Sequence, residues 1–222
     1  MNKIKVSIIN ITPEEVLIKA VSMPYDNPKA DLELCKKIGI QRKHYSILEH
    51  VNVSFQIDGY SRGCLQELMR HRTASSTVKS TRYTLKKMLN DINILFTDIF
   101  ITPKKPELTN EKKWNKYIDC LTKLNKKSIE YMRKMSKLGF SNDYLKYFIV
   151  ENFRSSHIWT CDFRNILHFL QLRLDNAAHF EIRHIAEKIK EELDKTYLKP
   201  FIEEFLKSDY DKLLDNYKGT EK

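Results

Sequence analysis

Arg70-His71-Arg72-Thr73-Ala74-Ser75-Ser76-Thr77-Val78-Lys79-Ser80-Thr81-Arg82-Tyr83 is the stretch on which the reading turns. It gathers three guanidinium groups, one imidazole and several hydroxyls. Arginine forks bind phosphates and planar carbonyl groups bidentately. Hydroxyls and loop N–H groups complete such anion sites. Just upstream, Ser61 reads as a helix N-cap. Cys64, Leu65, Leu68 and Met69 share one helical face, and Arg62, Gln66 and Arg70 share another. Met69 is therefore expected to anchor the helix end while Arg70 leaves on its polar side, and the rest runs into a loop. The segment suits an anionic, ring-bearing ligand such as a nucleotide or dinucleotide cofactor. Arg-His-Arg taken alone is also a common solvated helix face.

Working outward, the chain of 222 residues is 41% hydrophobic and 11% aromatic, enough for a substantial core. It has only five glycines, and no Gly-x-Gly-x-x-Gly, so side chains rather than a glycine cradle must hold any nucleotide. The net charge of +10 allows nucleic acid, a membrane surface or small anionic substrates as partners. Much of the lysine lies from Lys104 to Lys137 beside a helical apolar stripe, which makes those lysines a solvated face. The arginines cluster elsewhere, around 70–82 and 154–183. Cys35, Cys64, Cys120 and Cys161 are dispersed and form no Cys-x-x-Cys, which argues against zinc and a disulfide scaffold. The start, Met1-Asn2-Lys3-Ile4-Lys5, lacks a signal-peptide apolar region, and no apolar run is long enough to span a bilayer. The expectation is a soluble cytoplasmic protein.

Local patterns predict a strand over 3–11, then a helix opened by Thr12-Pro13-Glu14-Glu15 as a capping box. A helix from Ala30 to Ile38 should end at Gly39. A second strand covers Val51 to Ile57, closed by Asp58-Gly59, and a third covers Ile92 to Thr102. Apolar residues from Asn110 to Leu138 fit one long helix or a hairpin of two, closed by Gly139. Further expectations are a helix over 143–150, a strand over 157–163, helices over 164–174 and 177–193, and a helix broken at Pro200. No internal repeat or low-complexity linker interrupts the chain. The fold class read from this is α+β, with residues 1–222 as a single domain of mixed helices and a small sheet.

Two further blocks carry chemistry. His44-Tyr45-Ser46-Ile47-Leu48-Glu49-His50 contains two histidines six apart, a spacing that does not place both cleanly on one metal, so no metal site is assigned. In Asp162 to Asp175, Ile166, Phe169, Leu170 and Leu174 form a buried stripe. Arg164, His168 and Gln171 line another side at i, i+4 and i+7.

The Arg-His-Arg-x7-Ser pattern, with Arg82-Tyr83 beyond it, resembles the signature of flavin-dependent thymidylate synthases. The block around Ser46 is similar to that family's His-x-Ser/Thr-x-x-Glu-His, and Ala178-His179-Phe180-Glu181-Ile182-Arg183 to its Ala-Gln-x-Glu-Ile-Arg. The resemblance runs from about His44 to Arg183. It implies an α+β homotetramer with shared sites that converts dUMP to dTMP. The carbon donor would be 5,10-methylenetetrahydrofolate, and FAD reduced by NADPH would carry the hydride. It places Ser46, Arg70, His71, Arg72, Asp162, Arg164 and His168 on FAD. It places Glu67, Arg70, Ser80, Thr81, Arg82, Lys146 and Arg173 on dUMP. Arg173 matches the arginine that stabilises charge on the uracil ring, an electrostatic role, since a guanidinium cannot act as a base. Ser80 is read as a binding residue, because no base is placed to activate it.

The chain departs from the family pattern at several of these positions. Val78 stands for a glutamate, Glu67 for a glutamine, and Lys146 for a phosphate-binding arginine. Asp162 and His168 replace asparagines near flavin, and His179 replaces a glutamine. The alternatives are a non-catalytic relative that binds nucleotide and flavin, or a basic RNA-binding protein using Tyr83, Tyr131 and Phe153.

Overall fold

The computed structural model describes residues 4–91 and 93–207. The strands are β1 (Lys5–Ile11), β2 (Asn52–Ser61), β3 (Ser75–Val78) and β4 (Arg154–Asp162), in sheet order β1-β2-β4-β3. The helices are α1 (Glu14–Ser22), α2 (Leu32–Lys36), α3 (Arg62–Leu68), α4 (Thr81–Asn90) and α5 (Phe96–Ile99), then α6 (Glu111–Lys137), α7 (Asn142–Leu145), α8 (Phe163–Arg173) and α9 (Phe180–Leu193). The architecture is α+β, as the element pattern implied.

The chain divides into two compact units. Among the described residues, the first takes 4, 58–70, 77–91 and 93–157, and the second 5–57, 71–76 and 158–207. In the second unit, Val53, Phe55 and Ile57 alternate into the core from β2. Trp159 of β4 packs against Phe55 at 5.9 Å and against Phe169 of α8 at 5.1 Å between ring centroids. Ile182, Ile185 and Ile189 bury one stripe of α9. In the first unit, Leu85 and Leu89 of α4, Ile99 and Phe100, Met132 of α6, Leu145 and Phe153 form a buried cluster.

Several local rules hold. Ser61 caps α3 by accepting the Cys64 N–H at 3.0 Å. Asn110 caps a single uninterrupted α6, and Gly139 follows that helix at φ +90°, the left-handed conformation that glycine adopts without strain.

Others were overridden by tertiary contacts. Thr12 does not cap α1: its hydroxyl is bonded to the backbone of Asn52 at the head of β2. Gly39 does not end a helix in the left-handed region. It sits within a π turn, Lys37–Gln41, where a Cβ would lie 3.0 Å from Leu48. The need there is for space, not for positive φ. β2 continues through Asp58 and Gly59, with Gly59 at φ +85°. The segment expected as a third strand instead forms the short helix α5 and a single bridge from Phe100 to Phe153, while Ile92 lies outside the described residues. The fourth strand is β3, inside the arginine-serine stretch that was read as loop. Met69 is exposed rather than an anchor, because α3 ends at Leu68 and Leu68 fills the core. Residues 199–207 are helical with Pro200 in the first turn, where its missing N–H costs nothing.

His157 of β4 is 3% exposed. Its Nδ1 is 2.8 Å from the Tyr60 hydroxyl, and its Nε2 has no hydrogen-bond partner among the described residues. Burial pushes its pKa down to about 4 against an ordinary 6.5, with the nearby Asp58 charge opposing the shift. The unfolded chain therefore takes up a proton at higher pH than the folded one does. Stability should fall as pH drops through the window from 6.5 to 4 and lose nothing more from this group below it. The shift corresponds to at most about 3 kcal/mol. Urea denaturation midpoints across that window should decline more steeply for the wild type than for His157→Gln. Parallel slopes would exclude His157 as the source.

Candidate active site

In the second unit, the Asp162 carboxylate caps α8, accepting the Asn165 N–H at 3.0 Å and its side-chain amide at 2.6 Å. The helix then buries Ile166, Phe169 and Leu170. That rotation turns Arg164, His168 and Gln171 together onto a cavity of about 550 Å³, whose wall also includes Tyr45, Thr73, Asn165 and Phe205. The Arg164 guanidinium donates to Glu49 at 2.5 Å and lies over the Tyr45 ring, 5.9 Å from its centroid. Glu49 and Tyr45 belong to the 3-10 turn Tyr45–His50, so the His44–His50 block and the α8 block do meet. Ser46, on the same turn, is exposed and does not line the cavity.

Arg173 closes α8. Its Nε donates to His71 Nε2 at 3.1 Å, which leaves the His71 proton on Nδ1 while that bond stands. The His71 ring also packs edge-on against Phe169, with centroids 4.7 Å apart. Phe169 and Arg173 are i and i+4 neighbours, so one side chain reaches both turns. Arg72 is exposed and makes no ion pair among the described residues.

The remaining candidates lie in the first unit. Arg70 is 3.8 Å from Glu67 at the end of α3. Ser80 is the N-cap residue of α4, yet its hydroxyl makes no capping bond. With Thr81 it lines a second cavity of about 550 Å³, together with Arg62, Val78, Lys79, Asp98, Arg154 and Ser155. Arg82 and Lys146 do not line it. Both turn to Asp143, at 3.0 and 3.6 Å, on an exposed surface.

Sequence reasoning missed Asp143 as their shared counter-charge, and no local signal marked it. It also missed Thr73 and Phe205. Glu49 lay inside a quoted block but was not singled out. Among the cysteines, burial pushes Cys35 up to about 11 and Cys161 up to about 12. Both stay as thiols at neutral pH and make poor nucleophiles. Among the described residues, no cluster of histidine, cysteine and carboxylate side chains is arranged to hold a metal ion.

The profile of the thymidylate synthase complementing protein family matches residues 7–197. The chain is 37% identical over 175 residues to a flavin-dependent thymidylate synthase of Wolinella succinogenes, covering 75% of this chain and 78% of the relative. A flavin-dependent thymidylate synthase of Campylobacter jejuni strain RM1221 is 36% identical over 168 residues, covering 75% and 77%. A crystal structure of thymidylate synthase X from Helicobacter pylori with FAD and dUMP superposes with a TM-score of 0.74 at 26% identity, covering 92% of this chain and 99% of that one. This protein belongs to the thymidylate synthase complementing protein family.

The cap on α8 gives a direct test. Asp162→Ala should destabilise the protein by about 1 kcal/mol, the usual cost of losing a side-chain N-cap. Asp162→Asn should retain most of the stability, because an amide oxygen accepts the same N–H. Urea unfolding of the three proteins distinguishes them. Equal losses in both variants would mean that the carboxylate charge, not the cap, matters.

Proposed function

We propose that this protein is a flavin-dependent thymidylate synthase. It would methylate dUMP reductively to dTMP, with 5,10-methylenetetrahydrofolate as carbon donor, FAD as hydride carrier and NADPH as reductant. The observation that carries the reading is the bond between His71 and Arg173, which joins residues from two signature blocks 102 positions apart. The related H. pylori structure, described with FAD and dUMP, supports both ligands.

The residues present fit a flavin. The cavity on α8 offers a guanidinium stacked on an aromatic ring, amides from Asn165 and Gln171, the Thr73 hydroxyl and an apolar wall at Leu167. That is donor chemistry for a planar heterocycle bearing phosphates. Arg164 and His168 would hold it, with Ser46, His71 and Arg72 nearby in sequence blocks of the same unit. Asp162 would act by positioning α8. FAD, when bound, supplies the hydride.

Arg173 is the residue proposed to act on the substrate. For uracil C5 to act as a nucleophile the ring must take on enolate-like character, with negative charge on its carbonyl edge, and a fixed guanidinium stabilises that charge without reorganising. The bond from Nε to His71 fixes the guanidinium plane. Ser80, Thr81, Arg70 and Glu67 would bind the nucleotide. Arg82 and Lys146 would contribute only by exchanging Asp143 for it. No thiol is needed as a nucleophile. The family's shared-site homotetramer in the cytoplasm is the proposed working state. The RNA-binding reading of the +10 charge is the weaker one, and two of the eight α6 lysines pair within their own helix, Lys123 with Asp119 and Lys127 with Glu130.

Four measurements test the proposal: flavin content, oligomeric state, single-turnover methyl transfer and dUMP affinity. Heat-released supernatant of reconstituted protein should contain about one FAD per chain, and light scattering should give a tetramer. A protein that retains no flavin would end the enzyme reading. In single-turnover methyl transfer with pre-reduced, FAD-loaded enzyme and saturating dUMP, Arg173→Ala should be slower by roughly 10²–10³-fold. Arg173→Lys should recover little, since a point charge does not reproduce the planar fork. dUMP affinity should fall less than the rate does. Transfer at the wild-type rate would remove Arg173 from the chemistry.

A further inference from the structure

α4 starts without a side-chain cap. Ser80 stands at its N-cap position, yet the Ser80 hydroxyl makes no capping bond. The first N–H groups of a helix have no intrahelical partners, so an uncapped first turn is the part that frays. Deeper in the helix the core takes over. Leu85 and Leu89 are buried in one cluster with Leu145 of α7 and Met132 of α6. At the far end, Arg133 Nε donates to Leu89 O at 3.3 Å. These contacts lie beyond the turn that carries Thr81 and Arg82.

Asn142, the first residue of α7, holds that turn from outside. Its side-chain amide N–H donates to Arg82 O at 2.7 Å, and its Oδ1 accepts the Lys86 N–H at 3.1 Å. Arg82 O and Lys86 N–H are the i and i+4 groups that a helical turn places in line. One planar amide spans both, and a slip of α4 by one residue would break both bonds together. The neighbouring Asp143 takes the Arg82 side chain, accepting from Nε at 3.0 Å. Consecutive residues of α7 thus grip the main chain and the side chain of Arg82. The two grips differ in kind. The Asp143 pair is exposed on both sides and gives way to a stronger anion. The Asn142 bonds join backbone groups to a half-buried side chain, and they do not depend on where the guanidinium points.

We propose that Asn142 is a positioning residue for the nucleotide. It fixes the first turn of α4 in place of a cap, which leaves the Ser80 hydroxyl uncommitted and sets the root of the Arg82 side chain. The inference rests on the dUMP reading above. Asn142 acts through Arg82 and need not touch the ligand.

The test is a double-mutant cycle between Asn142 and Arg82, read as dUMP affinity by calorimetry on full-length, FAD-loaded protein. Asn142→Ala should weaken dUMP binding by roughly 5–30-fold, the worth of two neutral hydrogen bonds lost from the binding-competent turn. Flavin content should stay at the wild-type level. In an Arg82→Ala background the same change should cost less than about twofold, because the group it positions is gone. Arg82→Gln serves as the background if Arg82→Ala binds too weakly to read. Asn142→Leu keeps the side-chain volume without either bond and should match Asn142→Ala; it carries the cycle if the alanine variant loses its flavin. A purely structural role predicts the same fold-loss in both backgrounds, or loss of flavin in both Asn142 variants. Either result would overturn the proposal, as would unchanged dUMP affinity in Asn142→Ala. Wild-type protein that binds FAD but not dUMP would instead overturn the substrate reading, and this proposal with it.

Discussion

Trp159 packed between Phe55 and Phe169 is the contact on which the second unit depends. All three side chains are fully buried, and each aromatic pair adds about 0.5–1.5 kcal/mol beyond the area it removes from water. The larger consequence is geometric. Once Phe169 faces the strands, the rotation of α8 about its axis is settled. Arg164, His168 and Gln171 must then share the opposite side, and Arg173 must stand one turn beyond Phe169. His71 reads that arrangement directly, touching Phe169 with its ring edge and Arg173 with its Nε2. A packing decision in the core thus fixes the orientation of a guanidinium near the surface.

The electrostatics follow a different rule in each unit. In the second, Arg164 is held by Glu49 and a tyrosine face, and Arg173 by a neutral imidazole nitrogen. In the first, Arg82 and Lys146 share one carboxylate on an exposed surface, where such pairs contribute little to stability. They are easily exchanged for a stronger anion. Arg62 lines the cavity at Ser80 and makes no ion pair among the described residues.

Buried titratable groups mark the cost of this architecture. Cys35, Cys161 and His157 are all driven toward their neutral forms by loss of water. None of them is suited to nucleophilic or acid–base work at neutral pH. That agrees with a chemistry in which the protein supplies fixed charge and position while the cofactor carries the electrons.

The sequence by itself determined the periodic elements and the family. α6, α8 and α9 were legible because their apolar residues recur at helical spacing, and the α3 cap because Ser61 acts within three residues. The signature blocks were legible because side-chain chemistry at fixed spacing needs no knowledge of the fold. Tertiary structure decided what depended on distant partners. Thr12 was taken from its helix by Asn52, and Gly39 was fixed by the approach of Leu48. The segment before Phe100 became a helix, and Ser75–Val78 became a strand, because ladder pairing is set by a neighbour and not by local propensity. Likewise the pairing of His71 with Arg173 and the capture of Arg82 and Lys146 by Asp143 arise from long-range packing. No local pattern encodes which two side chains the folded chain brings within 3 or 4 Å, because that distance is set by cores that form between segments far apart in sequence.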